Sequence, residues 1–71
     1  MIIKKAQTKR GRYSIELTEE GNLFSITERR NGFTCGGSYN IRVRQDALDR
    51  FYDLIDAYKT DGINLYVIGP T

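Results

Sequence analysis

The hydrophobic pattern is clearest at residues 12 to 18, RYSIELT, where Tyr13, Ile15 and Leu17 alternate with Arg12, Ser14, Glu16 and Thr18. A period of two puts the apolar set on one face of a strand and the polar set on the other. Glu19-Glu20-Gly21-Asn22 then predicts a short hairpin connection, since Gly and Asn accept turn geometry. Residues 23 to 30, LFSITERR, predict the next strand, with Phe24 and Ile26 on one face and Leu23, Ser25, Thr27 and Arg29 on the other. Asn31-Gly32 by itself suggests a two-residue turn, but the later Gly36-Gly37 predicts a loop across the whole of Phe33-Thr34-Cys35-Gly36-Gly37. Residues 38 to 44, SYNIRVR, alternate again, with Tyr39, Ile41 and Val43 toward a core and Asn40, Arg42 and Arg44 outward. Residues 2 to 9, IIKKAQTK, fit a first strand whose register the pattern does not define.

The period changes after Gln45. Leu48, Phe51, Tyr52, Ile55 and Tyr58 form a helical stripe over DALDRFYDLIDAYK, with Leu54 at its edge. Asp46 is the expected N-cap, Asp49 adds a carboxylate to the first turn, and Lys59 complements the negative end. Gly62 is the expected left-handed stop. Asp49, Asp53 and Asp56 lie opposite the stripe, so the outer face of the helix is acidic. Residues 63 to 68, INLYVI, fit either a short strand or a packed tail, ended by Gly69-Pro70.

These elements predict an α+β fold, a four-stranded antiparallel sheet followed by one amphipathic helix, with residues 1–62 as the domain and 63–71 as the tail or extra strand. The helix stripe and the Tyr13, Phe24 and Tyr39 faces need each other to leave water, and each buried Leu-sized side chain contributes roughly 1.5–3 kcal/mol. A slip of one residue would bury the arginines instead. The free face of the sheet is then expected to display Arg10, Arg12, Ser14, Glu16, Ser25, Thr27, Arg29, Asn40, Arg42 and Arg44.

Length limits the core. The chain has 71 residues, and a domain of that size hides only roughly 60% of its unfolded surface, so a second copy is a common supplement. One cysteine, Cys35, and no histidine exclude an intrachain disulfide and a Cys/His zinc site, and remove the commonest general base near neutral pH. No metal, cofactor or catalytic residue is expected, and the protein is not expected to be an enzyme. Asp46, Asp49, Asp53 and Asp56 have the spacing of a solvated helix face, and Gly36-Gly37-Ser38 precedes a strand, unlike a phosphate-cradling loop. No apolar run is long enough to cross a bilayer, and MIIKKAQTK has no secretion-signal pattern. With the lone thiol, this gives an expected cytoplasmic location, nucleoid-associated in a bacterium.

Charge is segregated. Residues 1 to 45 carry nine Lys and Arg against four Glu, a net of +5, while residues 46 to 71 carry two against five Asp, a net of −3. Arginines beside hydroxyl and amide side chains suit phosphate, since guanidinium binds its oxygens bidentately. Phe33, on a polar loop, is the candidate to stack on a base. The candidate nucleic-acid residues are Lys9, Arg10, Arg12, Ser25, Thr27, Arg29, Phe33, Asn40, Arg42 and Arg44. Against this, many antiparallel sheets keep one polar face and bind nothing, Glu16 repels phosphate, and Phe33 also fits a loop anchor.

The order KRGRYSIELTEEGNLFSITERR, a Gly-rich loop, then SYNIRVRQDALDRFYDLIDAY resembles a single repeat of the PUR family, the purine-rich-element-binding proteins, over about residues 2 to 60. The whirly single-strand-binding fold is similar in outline. The resemblance implies a strongly curved β-β-β-β-α unit that forms an intertwined homodimer and binds single-stranded DNA or RNA on the sheet. Arg10, Arg12 and Tyr13 fall on the family's basic-aromatic run. Asn22-Leu23-Phe24 falls where the family has Gly-basic-aromatic, without the basic residue; Arg29, Arg42 and Arg44 are the expected substitutes. The alternative is a protein-interaction module, docking an acidic partner on the basic face or a further strand on a free edge.

Overall fold

The computed structural model describes residues 1 to 68; residues 69 to 71, including the expected Gly69-Pro70 terminator, lie outside the described residues. The chain forms β1 (Ile2–Gln7), β2 (Tyr13–Glu20), β3 (Leu23–Arg30), β4 (Phe33–Ile41), α1 (Arg44–Thr60) and β5 (Tyr66–Ile68). The strands make one sheet in the order β4-β3-β2-β1-β5, antiparallel throughout. The α+β architecture and the four-strands-then-helix order are as read from the sequence. The tail adds a fifth strand, pairing Tyr66, Val67 and Ile68 with Gln7, Ala6 and Lys5 of β1.

β2 and β3 form an unbroken ladder from Tyr13↔Arg30 to Glu20↔Leu23. Gly21, at φ +61°, makes the turn. Ile15, Leu17, Phe24 and Ile26 face the helix and are buried, as their alternation requires. The same parity puts Glu28 on the helix side, where the Tyr58 hydroxyl donates to its Oε1 at 2.9 Å.

β4 departs from the expectation in three ways. No loop spans residues 33 to 37: Asn31 (φ 53°) and Gly32 (φ 84°) supply both left-handed positions of a two-residue hairpin turn, so the strand begins at Phe33. Gly36 and Gly37 lie within the strand. A Cβ on Gly37 would collide with the Ile26 carbonyl oxygen and press on the Tyr39 ring, so that close approach requires glycine. Second, Phe24↔Ile41 and Ile26↔Ser38 leave one more residue on β4 than on β3, a bulge at which Asn40 adopts φ +62°. The extra residue reverses the parity, so Tyr39 projects outward, 58% exposed, and does not join the core. Ile41 recovers the inner face. Third, the strand ends there. Val43 is exposed at the start of the helix rather than facing the core, and Arg42 and Arg44 sit on the β4–α1 connection and the first helical residue, off the sheet face.

The helix N-cap is therefore Val43, with no side-chain cap, and Asp46 is a first-turn carboxylate rather than the cap. Phe51 and Ala47 are fully buried, and Leu48, Leu54, Ile55 and Tyr58 pack against the core. Tyr52 is corrected from stripe to margin: it is exposed, edge-on to Phe51 at 5.4 Å, with the Lys4 ammonium 5.9 Å from its ring centre. Ala47 takes its place because a small side chain lets the helix approach β3 and β4 closely. Gly62, at φ +82°, ends the helix as expected. Its N–H donates to the Lys59 carbonyl, and that of Ile63 to the Tyr58 carbonyl, both at 2.9 Å, satisfying two terminal acceptors.

Candidate nucleic-acid interface

Pairing fixes the outer face. Lys5 and Gln7 on β1 lie beside Glu16 and Ser14 on β2, which lie beside Thr27 and Arg29 on β3. Ser25 and Thr27 occupy the face as expected. Arg29 also lies there, but its Nη1 contacts Glu16 Oε1 at 2.9 Å, and Glu16 is only 7% exposed. The middle of the face is thus a hydroxyl-rich surface with one neutralised arginine, not the row of guanidinium groups expected from alternation. Near the β2–β3 turn, Thr18, Ser25, Asn40 and the outward Tyr39 line a shallow groove of about 330 Å³, with Glu20 at its edge.

The arginines divide between two ends. Arg42 and Arg44 follow Ile41, which pairs with Phe24 beside the β2–β3 turn. Lys9, Arg10 and Arg12 occupy the β1–β2 loop at the opposite end, where the Asn31 N–H donates to the Arg12 carbonyl at 2.7 Å. That bond places the loop beside the β3–β4 turn and Phe33, which is 77% exposed. The structure therefore brings together Lys9, Arg10, Arg12 and Phe33, and separates them from Asn40, Arg42 and Arg44.

The β1–β2 loop is held in shape from within. The Thr8 N–H donates to the Tyr13 carbonyl at 3.1 Å, the Gly11 N–H to the Thr8 carbonyl at 2.9 Å, and the Tyr13 N–H to the Thr8 hydroxyl at 3.4 Å. Gly11 reaches φ +72°, the left-handed region. Between this loop and the segment after α1 lies a cleft of about 400 Å³, lined by Lys9, Arg10, Arg12, Tyr13, Asn64 and Tyr66, with Thr8, Gly62 and Ile63 completing the wall. No carboxylate lines it. Among the described residues the ion pair found is Arg29–Glu16, so Lys9, Arg10 and Arg12 have no ion-pair partner there.

Behind the cleft, the Arg30 guanidinium lies 5.1 Å over the Tyr13 ring, which meets Tyr58 edge-on at 6.0 Å. Burial, and then the hydrogen bond and charge of Glu28, push the Tyr58 hydroxyl up to about 12. Cys35 is exposed at the second β4 bulge, its Sγ 3.5 Å from the Glu28 carbonyl it donates to. No group of three or more His, Cys, Asp or Glu converges among the described residues. None of their helices is long and apolar enough to cross a membrane.

Sequence reasoning did not place Tyr13, Arg30, Asn64 and Tyr66 at this site. Tyr13 was assigned to the core, and Tyr66 comes from a segment more than fifty positions distant, so only the β1–β5 pairing joins them. Comparison of the chain with protein-family models, with curated proteins and with solved structures returns no match.

Proposed function

We propose that the protein binds single-stranded nucleic acid, DNA or RNA, at the basic end of its sheet. The observation that carries this reading is the cleft: three cations without partners on one rigid loop, two tyrosines in the same wall, and an exposed phenylalanine on the neighbouring turn. Cations neutralise phosphates, and exposed aromatic rings stack on unpaired bases for about 1–3 kcal/mol each. Stacking favours single strands, whose bases are free to splay. The hydroxyls of Ser25 and Thr27 and the Tyr39 ring continue the path along the outer face. The resemblance to a PUR repeat supports the same reading. Such a protein works in the cytoplasm, on the nucleoid in a bacterium, and the reading assigns it no catalytic role.

A homodimer belongs to the proposal. β5 is an edge strand whose Tyr66, Val67 and Ile68 are all exposed, and an unguarded apolar edge accepts another strand. A second copy adding its own β5 across a two-fold axis joins the two outer faces. The same edge favours the second reading, a protein-interaction module that takes a strand from another protein.

The test is titration of labelled single-stranded and duplex DNA and RNA at several salt concentrations. Single strands bind more tightly, and log affinity falls linearly with log salt, by about 0.7 for each phosphate neutralised. Absence of binding to any single strand at low salt overturns the proposal.

A further inference from the structure

We infer that the cleft at the β1–β2 loop is a seat for a nucleotide phosphomonoester, carried by the end of a strand or by a free mononucleotide. The inference rests on the nucleic-acid reading for its strand form and deepens it. Three features of the cleft point beyond passage of an internal backbone.

The first is charge density. Lys9, Arg10 and Arg12 converge on one cleft of about 400 Å³ without an opposing carboxylate. A backbone diester brings one negative charge, whereas a phosphomonoester brings about 1.5 to 2 near neutral pH, with three acceptor oxygens. Three converging cations match the monoester better than a single diester.

The second is size. At about 400 Å³ the cleft lies near the lower end of small-molecule sites, which run from about 300 to 1,000 Å³. That is room for one nucleotide. Tyr13 and Tyr66 offer aromatic surface for its base or sugar, and the Asn64 side chain adds a donor and an acceptor.

The third is preorganisation. The hydrogen bonds that shape the Thr8–Tyr13 loop, with the bond from Asn31 to the Arg12 carbonyl, hold the loop backbone before any ligand arrives. The ordering cost on binding then falls mainly on the three side chains.

The second ionisation of a phosphomonoester lies near pH 6, at about the value known for phosphorylated side chains. The chain has no histidine, the one side-chain type that ordinarily titrates between about pH 5 and 8. The cationic and titratable groups facing the cleft are Lys9, Arg10, Arg12, Tyr13 and Tyr66. A monoester preference that weakens on acidification therefore reports the charge of the ligand.

The experiment compares an eight-residue oligothymidylate carrying a 5′-phosphate, a 3′-phosphate or neither, by fluorescence anisotropy, at pH 7.5 and 5.5. In parallel, thymidine 5′-phosphate, thymidine and inorganic phosphate are titrated while the amide resonances of Gly11 and Asn64 are followed. The expected result is a gain of about tenfold or more from one terminal phosphate at pH 7.5, the scale of one added charge-assisted hydrogen bond. The gain shrinks at pH 5.5. It disappears in Arg10→Gln/Arg12→Gln and survives in Arg42→Gln, which lies at the other end of the sheet. Equal affinity of phosphorylated and unphosphorylated oligomers, with no amide shift from thymidine 5′-phosphate, overturns the seat and leaves strand binding standing. Amide shifts from thymidine 5′-phosphate, with no oligomer bound, support the seat as a mononucleotide site and dismiss the strand reading. Inorganic phosphate shifting the same amides as strongly as the nucleotide dismisses the nucleotide and leaves an anion site alone.

Discussion

Arg29 and Glu16 join across neighbouring strands at 2.9 Å, and Glu16 keeps only 7% of its surface. The pair removes the one arginine of the central outer face from phosphate binding and holds a carboxylate against the sheet. Half of the Arg29 side chain remains in water, so the two partners differ in what their loss does. Arg29→Ala strands Glu16 without its partner and is expected to cost about 1–3 kcal/mol. Glu16→Gln keeps a hydrogen-bonding side chain and costs less. Urea unfolding of the two variants checks the order, and a Glu16→Gln chain less stable than Arg29→Ala contradicts it.

The basic end, not the Arg42/Arg44 end, is expected to set the salt dependence. Replacing Lys9, Arg10 and Arg12 together by Gln lowers the log–log salt slope for a single strand by roughly 2, at about 0.7 per phosphate contact. Arg42→Gln with Arg44→Gln leaves the slope nearly unchanged. Phe33→Ala weakens binding by about 1–3 kcal/mol if its ring stacks on a base, with the slope preserved. Anisotropy titrations over a salt series separate the three, and a slope that follows Arg42 and Arg44 moves the interface to the other end.

Gly36 and Gly37 are neighbours in sequence with unequal tolerance. Gly37→Ala drives a methyl group into the Ile26 carbonyl oxygen and the Tyr39 ring, and is expected to destabilise by at least about 1–3 kcal/mol, the usual range for overpacking. At Gly36 the nearest atom is the end of the Glu28 side chain, 3.3 Å from an added Cβ, which can move. Gly36→Ala is the milder change. Thermal denaturation ranks them, and equal melting temperatures would falsify the close approach of β3 to β4 at residue 37.

Tyr58 confers an alkaline limit. Its folded-state pKa of about 12 lies above the ordinary 10.0, so the native state holds the phenolic proton more tightly. The associated stability is fully present below pH 10 and is lost as pH rises toward 12. Tyr58→Phe is expected to lower stability near neutrality by about 1 kcal/mol, for the lost bond to Glu28, and to flatten the decline above pH 10. Denaturant melts at pH 8, 10 and 11 measure both effects. An undiminished alkaline decline in the Phe variant assigns it to another group.

Ile68→Lys places a charge on the exposed edge strand, a common guard against strand addition. Sedimentation at micromolar concentration is expected to give a dimer for the natural sequence and a monomer for this variant. A natural chain that sediments as a monomer dismisses pairing along β5.

Most of the fold was legible because local chemistry and tertiary packing agree. Tyr13-Ile15-Leu17 and Phe24-Ile26 alternate without interruption, and Gly62 has the conformation its position demanded. Residues 38 to 44 misled for a definite reason. Their alternation is as clean as that of β2, but Asn40 is left-handed and inserts a residue, so the pattern before it counts from the other face. Asparagine is one of the few residues that enters this region readily, which is the signal that was present. Lys9, Arg10, Arg12 and Phe33 were legible as candidates but not as neighbours. Their grouping comes from the Arg12–Asn31 hydrogen bond and the β1–β5 pairing, both nonlocal.

Pairing Lys5 with Ile68 ties the second strand partner of β1 to a segment 63 positions later in the chain. During synthesis at about 5–20 residues per second, β1 would wait several seconds for that partner. Its Lys4-Lys5 pair then offers a temporary safeguard, holding off other nascent chains by repulsion until β5 covers the edge. The same two lysines that add little to the finished surface act earlier, as chaperones of their own strand.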